Sequence, residues 1–178
     1  VEVSDDNRVE TLVAALSGER ELALVFVRTK RGADRLVKRL GAQGVDAAAI
    51  HGNKSQRQRE QALDRFERGH VDTLVATDVA ARGLHIDDVA HVINYDLPKM
   101  AEDFIHRVGR TGRAGSEGLA TSLVAGGEVI ELRHIERTLK LKIERKQVDW
   151  ANAEKSEHVV QNTLASRTLT RLPGEVFA

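Results

Sequence analysis

Short apolar runs alternate with amphipathic stretches from about residue 8 to residue 140. The amphipathic stretches place apolar residues three or four positions apart, as a helix with one buried face requires. Ser55 and Gln58 form a capping-box signature, which predicts a helix from Gln56 to about Arg68. Regular alternation of strands and helices favours an α/β fold around a mostly parallel sheet. The predicted strands cover residues 22–27, 45–50, 71–76, 91–95 and 118–124.

A single core is expected, because 178 residues are enough to bury most of the surface that the unfolded chain exposes. The pattern predicts that the domain covers residues 1–148. Residues 149–178 have weak periodicity and include Pro173 and Gly174, so we interpret them either as an extension that packs across the domain or as a tail. The chain begins without a methionine, which suggests a piece of a longer protein.

Composition narrows the classes of ligand. Lysine plus arginine and aspartate plus glutamate number 27 each, so any nucleic-acid contact must be a local patch. The absence of cysteine excludes disulfides and thiolate chemistry, and the seven histidines lack zinc-site spacing, so no metal site is expected. No leader is seen, and no apolar run approaches the roughly 20 residues that cross a bilayer. We therefore expect a soluble, cytoplasmic protein without membrane contact.

Ligands of parallel α/β sheets bind at the carboxyl ends of the strands, so the residues that follow each strand are candidates. Arg28 and Thr29 follow the first predicted strand. His51 and Gly52 follow the second, and Thr77 follows the third. An arginine-rich segment comes after the fourth. Any one of these is typical of a solvated turn, but the four together favour a ligand site.

The segment HRVGRTGR, residues 106–113, carries three arginines at spacings of three. Arg107, Arg110 and Arg113 lie near one face if the preceding helix continues through Arg110, and the intervening glycines permit close backbone approach. Such an array suits the equatorial oxygens of a phosphoryl group in transfer, where an arginine finger stabilises developing charge. A basic surface turn is the alternative interpretation.

Three further residues suit a nucleic-acid backbone. Gln56 and Arg59 are three apart at a helix start, where free N–H groups and the positive dipole end favour a phosphate. Thr77 offers a hydroxyl and a backbone N–H, a contact that carries no base specificity. Aromatic residues make up only 3% of the chain, which disfavours the domains that stack bases on aromatic side chains.

Four segments resemble, in order and spacing, the motifs of one enzyme family. HRVGRTGR is almost identical to motif VI of the DEAD-box ATP-dependent RNA helicases. LVFVRTK at residues 24–30 resembles motif IV, HGNKSQRQRE at 51–60 resembles the QxxR motif, and TDVAARG at 77–83 resembles motif V. Over about residues 1–145 the chain is similar to the second RecA-like domain of these helicases.

The resemblance implies a RecA-like three-layer α/β/α fold that acts on ATP and RNA. Arg110 and Arg113 would be the catalytic residues that reach the γ-phosphate of ATP, and Gly83 would lie near the nucleotide through its backbone. The residues that would hold RNA phosphates and sugars are Arg28, Thr29, Gly52, Gln56, Arg59 and Thr77. The residues that would join the motifs to each other or to a partner domain are Asp78, Arg82, His106 and Arg107.

The chain departs from the family in motif V, which usually has an acid two residues after its glycine to accept hydrogen bonds from the ATP ribose. His85 stands there instead. A neutral histidine offers one acceptor nitrogen in place of two carboxylate oxygens. Asp87, two residues further along, points to the same side if the segment is extended. His85 and Asp87 are therefore both candidates for ATP binding, and compensation by another residue is the alternative.

Two parts of a complete ATPase are missing from the sequence. No GxxxxGKS or GxxxxGKT pattern is present to cradle phosphates, and no DEAD sequence is present to hold Mg²⁺. By resemblance, the protein would use ATP and Mg²⁺ together with an N-terminal RecA-like domain of the same polypeptide. The isolated chain is predicted to be inactive.

Other functional classes fit parts of this pattern. A non-catalytic RNA- or protein-binding module with a RecA-like fold is the main alternative, and His85 is its support. A dinucleotide-binding enzyme fits the strand–helix order but lacks a GxGxxG motif. A DNA translocase would share the arginine run, and the choice of RNA over DNA depends on the resemblance alone.

Overall fold

The structure is a computed structural model that describes residues 1–4, 6–17, 22–84, 86, 89–112 and 117–146. All five predicted strands are present, each slightly shorter than its apolar run, and two additional strands have two residues each. The segment 149–178 lies outside the described residues, so the domain boundary at residue 148 stays a prediction. The strands are β1 (Glu2–Val3), β2 (Ala23–Phe26), β3 (Ala47–Ile50), β4 (Thr73–Ala76), β5 (His91–Asn94), β6 (Leu119–Ser122) and β7 (Val124–Ala125).

The helix predicted after Ser55 is present and covers Gln56–Glu67. The Ser55 hydroxyl accepts a hydrogen bond from the Gln58 N–H at 3.2 Å, and the Gln58 side chain accepts one from the Ser55 N–H at 2.9 Å, which confirms the capping box. Within the described residues, no helix is long and apolar enough to span a membrane. The helices are α1 (Arg8–Leu16), α2 (Lys30–Ala42), α3 (Gln56–Glu67), α4 (Asp78–Arg82), α5 (Ala101–Val108) and α6 (Val129–Leu139).

Strands β2 to β6 form one parallel sheet in the order β3-β4-β2-β5-β6. The register pairs Ala76 with both Ile50 and Phe26, and pairs Phe26 with Asn94. The last residues of four neighbouring strands therefore lie level with one another. The segments that follow these strands share one edge of the sheet, called here the carboxyl edge.

Alternate side chains of the central strands point to opposite faces of the sheet. Val25 of β2 packs in a buried cluster with Leu12 of α1 and Leu36 of α2. Leu24 and its neighbours on the other face pack with Phe66 of α3 and with residues of α4. Helices thus cover both faces, which confirms the predicted three-layer α/β/α fold.

The N-terminal segment is fastened to residues 122–128, which include β7. Strand β1 pairs in parallel with β7, and the Val1 ammonium donates to the Ser122 carbonyl at 2.9 Å. Arg8, which is buried, pairs with Glu128 and lies over the Tyr95 ring with 5.5 Å between Cζ and the ring centroid. A buried guanidinium needs such partners, because an unpaired charge in the interior is costly.

His91 is a buried titratable group at the amino end of β5. Its Nε2 lies 2.9 Å from the Thr121 hydroxyl on the neighbouring strand β6. Burial lowers the pKa of His91 from 6.5 to about 4, because the charged ring would lose its hydration. Between those two values, the unfolded chain binds a proton that the folded protein excludes. The free energy of unfolding therefore decreases as pH falls from 6.5 to about 4.

We expect His91→Gln to remove part of this acid sensitivity, because the amide can bond Thr121 and does not titrate. Urea unfolding at pH 7.5 and pH 5.0 measures the effect. The natural protein should lose about 2 kcal/mol more than the variant over this interval, at about 1.4 kcal/mol for each pH unit below 6.5. The control is His134→Gln, at an exposed position of α6. An equal acid loss in the natural protein and in His91→Gln would contradict the assignment.

Candidate functional site

A buried arginine joins the elements at the carboxyl edge. Arg107, in α5, is 2% exposed, and its side chain reaches across the sheet to Asp78 at the start of α4. Arg107 Nε lies 2.6 Å from one Asp78 carboxylate oxygen, and Nη2 lies 2.7 Å from the other. This two-point geometry is the strongest that a guanidinium and a carboxylate can adopt.

The remaining edge of the Arg107 guanidinium faces β5. Nη1 donates to the Asn94 side-chain oxygen at 3.1 Å and to the Asp96 carbonyl at 2.6 Å. The plane of the group also lies over Phe26, with 5.0 Å from Cζ to the ring centroid. Arg107 therefore binds α4, α5 and the ends of β2 and β5 to one another.

A small depression opens above this ion pair. The exposed Arg82 at the end of α4 pairs with Asp103 on α5, which closes a second link between the two helices. The residues that line the depression are Phe26, Asp78, Ala81, Arg82, His106, Arg107 and Arg110. All four residues predicted to join the motifs, together with the candidate catalytic Arg110, are therefore brought to one place.

Helix α5 does not continue through Arg110, so the condition for a shared helical face of the arginines is not met. Helix α5 ends at Val108, and Arg110 lies in the turn that follows, where its carbonyl accepts a hydrogen bond from the Val89 N–H at 3.1 Å. Gly112 has a φ of +67°, a conformation that side-chain-bearing residues rarely adopt. Arg107 and Arg110 therefore have different surroundings, one in the interior and the other in the turn. Arg113 lies outside the described residues.

The turn that carries Arg110 packs closely against Val89 and Gly118. The Thr111 hydroxyl, which is buried, donates to the Val89 carbonyl, next to the point where Arg110 is held. Gly118 passes so near that an added Cβ would lie 2.1 Å from Thr111 Oγ1 and 2.4 Å from the Gly112 nitrogen. Only a glycine fits at position 118 while the turn keeps this position.

Arg28 and Thr29 follow β2 and are both exposed. The Arg28 backbone N–H donates to the Asp96 carboxylate at 2.7 Å, while Arg28 Nη2 lies 3.8 Å from Glu128. The Thr29 hydroxyl caps α2 by accepting from the Gly32 N–H at 2.9 Å. The Arg28 backbone and the Thr29 side chain are therefore both held by hydrogen bonds at the point where the chain leaves the sheet.

Gly52, Gln56 and Arg59 lie in and after the turn that follows β3. A Cβ at Gly52 would be 3.2 Å from the end of the Lys30 side chain, and Gly52 itself is exposed. Gln56 bonds Glu60 along α3 at 2.9 Å, and Arg59 Nε donates to the Lys54 carbonyl at 3.2 Å. The three residues therefore lie at or just before the amino-terminal end of α3.

Thr77 differs from its predicted chemistry in one respect. Its backbone N–H donates to the Ile50 carbonyl at 3.3 Å, because the β3–β4 ladder continues one residue past the strand. The prediction that this N–H is available to a ligand is therefore wrong, and the hydroxyl of a largely buried residue is what remains. Gly83 is exposed at the end of α4, whereas His85 and Asp87 lie outside the described residues.

Three acidic residues of this region are not predicted by any sequence motif. Asp96 holds the Arg28 backbone, Glu128 lies between Arg8 and Arg28, and Asp103 pairs with Arg82. Each is distant in sequence from its partner. No short motif connects such residues, so only the folded chain shows that they meet.

The described residues do not fit a magnesium ion. Both Asp78 oxygens are engaged by Arg107, and the described part of the chain contains no group of three or more carboxylate or imidazole side chains arranged around a common point. Mg²⁺ prefers several oxygen ligands in octahedral geometry. Any magnesium ion would have to be held by residues outside this part of the chain.

Comparison with known proteins gives a family. Residues 7–115 match the helicase conserved C-terminal domain family. The chain is 47% identical over 146 residues to the DEAD-box ATP-dependent RNA helicase CshA of Geobacillus kaustophilus, covering 82% of this chain and 31% of that protein. The chain thus spans about a third of the length of the curated relatives it matches.

Solved structures agree with the sequence match. A DEAD-box protein from Methanococcus jannaschii superposes with a TM-score of 0.78 at 43% identity, covering 82% of this chain and 40% of that one. The Escherichia coli DEAD-box protein SrmB, solved bound to the regulator of ribonuclease activity A, gives a TM-score of 0.80 at 33% identity, covering 98% and 95%.

The fold and the family match define a RecA-like helicase domain. The chain belongs to the helicase conserved C-terminal domain family, in its DEAD-box RNA helicase branch, which confirms the resemblance found in the motifs.

The Arg107–Asp78 pair should dominate the stability of this site. Arg107→Met leaves the Asp78 carboxylate partly buried without its partner, which should lower the free energy of unfolding by about 3 kcal/mol, at the low end of the range for broken buried pairs because Asp78 keeps some solvent contact. Arg82→Met breaks the more exposed pair with Asp103 and should change stability by less than about 1 kcal/mol. Urea unfolding of both variants measures the difference, and equal losses would contradict this ranking.

Proposed function

We propose that this chain is the C-terminal RecA-like domain of an ATP-dependent RNA helicase and that it completes an ATPase site between two domains. Arg110 and Arg113 supply positive charge to the γ-phosphate. An N-terminal RecA-like domain of the same polypeptide supplies the phosphate loop and the Mg²⁺ ligands, which this sequence lacks. The relatives named as ATP-dependent RNA helicases support this assignment.

The observation that carries the proposal is the buried Arg107–Asp78 ion pair. Asp78 directly follows Thr77, a candidate RNA contact, and Arg107 precedes Arg110 by three residues. Because the pair fixes both segments against the ends of β2 and β5, the Thr77 segment and the arginine turn are held to the same part of the sheet. A domain built in this way can convert the binding of ATP on one side into a movement of RNA on the other.

Phosphoryl transfer needs charge stabilisation more than covalent chemistry from the protein. The Arg110 guanidinium binds the oxygens of the γ-phosphate as negative charge shifts between them, and it does so more strongly in the closed, water-poor cleft than in solvent. The Gly83 backbone lies near the nucleotide, and His85 and Asp87 contact the ribose. When bound, Mg²⁺ neutralises phosphate charge.

RNA is held through its backbone. Arg28 and Arg59 provide charge, Thr29 and Thr77 provide hydroxyls, and Gly52 lets a phosphate approach the main chain. Gln56 extends this surface at the start of α3. Closure of the two domains on the strand bends it out of duplex geometry, and hydrolysis reopens the cleft and releases it. Contacts of this kind make binding independent of base sequence and sensitive to salt.

Arg110→Ala in the full-length protein should reduce RNA-stimulated ATP hydrolysis by about 10³-fold, because the charge at the transition state is lost while the buried pair beneath it stays intact. Steady-state phosphate release measures the rate. RNA affinity without nucleotide should change little. The matched control is Arg133→Ala, which removes an equal charge from an exposed position of α6.

The same assay on the isolated chain should show no hydrolysis, because the phosphate loop and metal ligands are missing. Natural turnover in Arg110→Ala would refute the role of the arginine turn. Hydrolysis by the isolated chain that depends on Arg110 would refute the two-domain site.

A further inference from the structure

The turn between β3 and α3 is connected to α2 by a cluster of side chains that the proposed function leaves unused. This turn, residues 51–54, contains the RNA candidate Gly52 and leads directly to two more, Gln56 and Arg59. Its backbone is closed by a hydrogen bond from the Lys54 N–H to the His51 carbonyl at 3.0 Å. Its position relative to α2 depends on contacts between side chains.

His51 is the buried centre of the cluster, with only 2% of its surface exposed. Its Nδ1 accepts a hydrogen bond from the Asn53 N–H at 3.3 Å, so a neutral ring carries its proton on Nε2. Nε2 lies 3.0 Å from Oδ2 of Asp34 on α2, an ion-pair distance, although the ring nitrogen makes no hydrogen bond of good geometry with a described residue. The ring therefore faces the turn with one nitrogen and α2 with the other.

Asp34 binds the turn a second time. Its other oxygen lies 2.9 Å from Lys54 Nζ. The Lys54 carbonyl in turn accepts a hydrogen bond from Arg59 Nε at 3.2 Å, which connects Asp34 to Arg59 through Lys54. The His51 contact, followed by the Lys54 contact, lowers the pKa of Asp34, which keeps it ionised. A parallel link joins Lys30 Nζ to the Asn53 side-chain oxygen at 2.9 Å.

We propose that Asp34 and His51 are a positioning pair that holds the turn at residues 51–54, and through it Arg59, in the geometry that binds the RNA backbone. Neither residue contacts RNA in this account. The inference rests on the proposed function, because it concerns the same RNA-binding surface. It adds two residues that the motif resemblance does not assign.

The sign of the effect separates positioning from plain electrostatics. Asp34 is half exposed and close to a surface that binds phosphates, so its negative charge alone opposes RNA. Removing this charge and releasing Lys54 would by themselves strengthen RNA binding. If Asp34 acts by positioning, its removal weakens binding instead.

The test is RNA affinity of the full-length protein, measured by fluorescence anisotropy with a labelled single-stranded RNA and a non-hydrolysable ATP analogue. Asp34→Ala should weaken binding about ten-fold, the scale of one charge-assisted hydrogen bond. Asp34→Asn should stay within about three-fold of the natural protein, because the amide oxygen can keep the 3.0 Å contact with His51 Nε2. Both variants remove the same charge, so their difference measures the contact.

His51→Ala should weaken binding to a similar extent, and adding it to Asp34→Ala should cause little further loss, because the two residues act through one contact. Asp64→Ala on α3 is the charge control: it removes a carboxylate that pairs with Arg68 and should leave binding unchanged or slightly tighter. Urea unfolding verifies that each variant is folded. If His51→Ala fails to fold, the half-exposed Asp34 position decides the question.

Arg59→Ala in the same assay distinguishes a failure of the positioning pair from a failure of the proposed RNA-binding surface. Weaker binding in Arg59→Ala with unchanged or tighter binding in Asp34→Ala would overturn the positioning pair alone. Equal weakening by Asp34→Ala and Asp34→Asn would also overturn it, because loss of charge would then be the cause. Unchanged binding in Arg59→Ala would overturn the RNA surface of the proposed function.

Discussion

Arg107 carries a positive charge in the interior of the domain, and the carboxyl edge is organised by what that charge requires. A buried guanidinium is tolerated only where a carboxylate and further acceptors complete its hydrogen bonds. Asp78 provides the carboxylate, while Asn94 and the Asp96 carbonyl provide the acceptors. Loss of Asp78 would leave an unpaired buried charge, and loss of either acceptor would leave a buried N–H without a partner, so α4, α5 and β5 are held in one relative position.

This ion pair lies within a few residues of both a candidate RNA contact and a candidate γ-phosphate contact. Thr77 directly precedes Asp78 in the chain, and Arg110 follows Arg107 by three residues, so each of these candidate side chains is close to a fixed neighbour. The turn at Arg110 gains further support from the Thr111 contact with Val89. Under the proposed function, this arrangement explains how the nucleotide and RNA can influence each other without a large rearrangement inside the domain.

The elements that the sequence predicts well are those with a repeating pattern. The five central strands and the helix after Ser55 follow from apolar runs and from a capping motif, both of which are local. Strands β1 and β7 have two residues each and pair with each other although they are far apart in the sequence, so no periodicity indicates them. Helix α4 is a single turn, which is too short for an amphipathic pattern.

The candidate site divides in the same way. Motif spacing located Arg107 and Arg110, but spacing alone suggested that they share a helical face. The end of α5 at Val108 and the burial of Arg107 give them separate surroundings. Pairs such as Asp34 with His51 join residues from different elements. Such contacts follow from the topology of the sheet and leave no mark in the local sequence.

Under the proposed function, the Arg107–Asp78 pair couples the nucleotide site to the RNA site. RNA affinity of the full-length protein, with and without a non-hydrolysable ATP analogue, measures this coupling as a ratio. In Asp78→Asn the carboxylate that holds Arg107 is lost, so the ratio should fall toward one while affinity without nucleotide stays near that of the natural protein. An unchanged ratio in a folded Asp78→Asn protein would contradict the account.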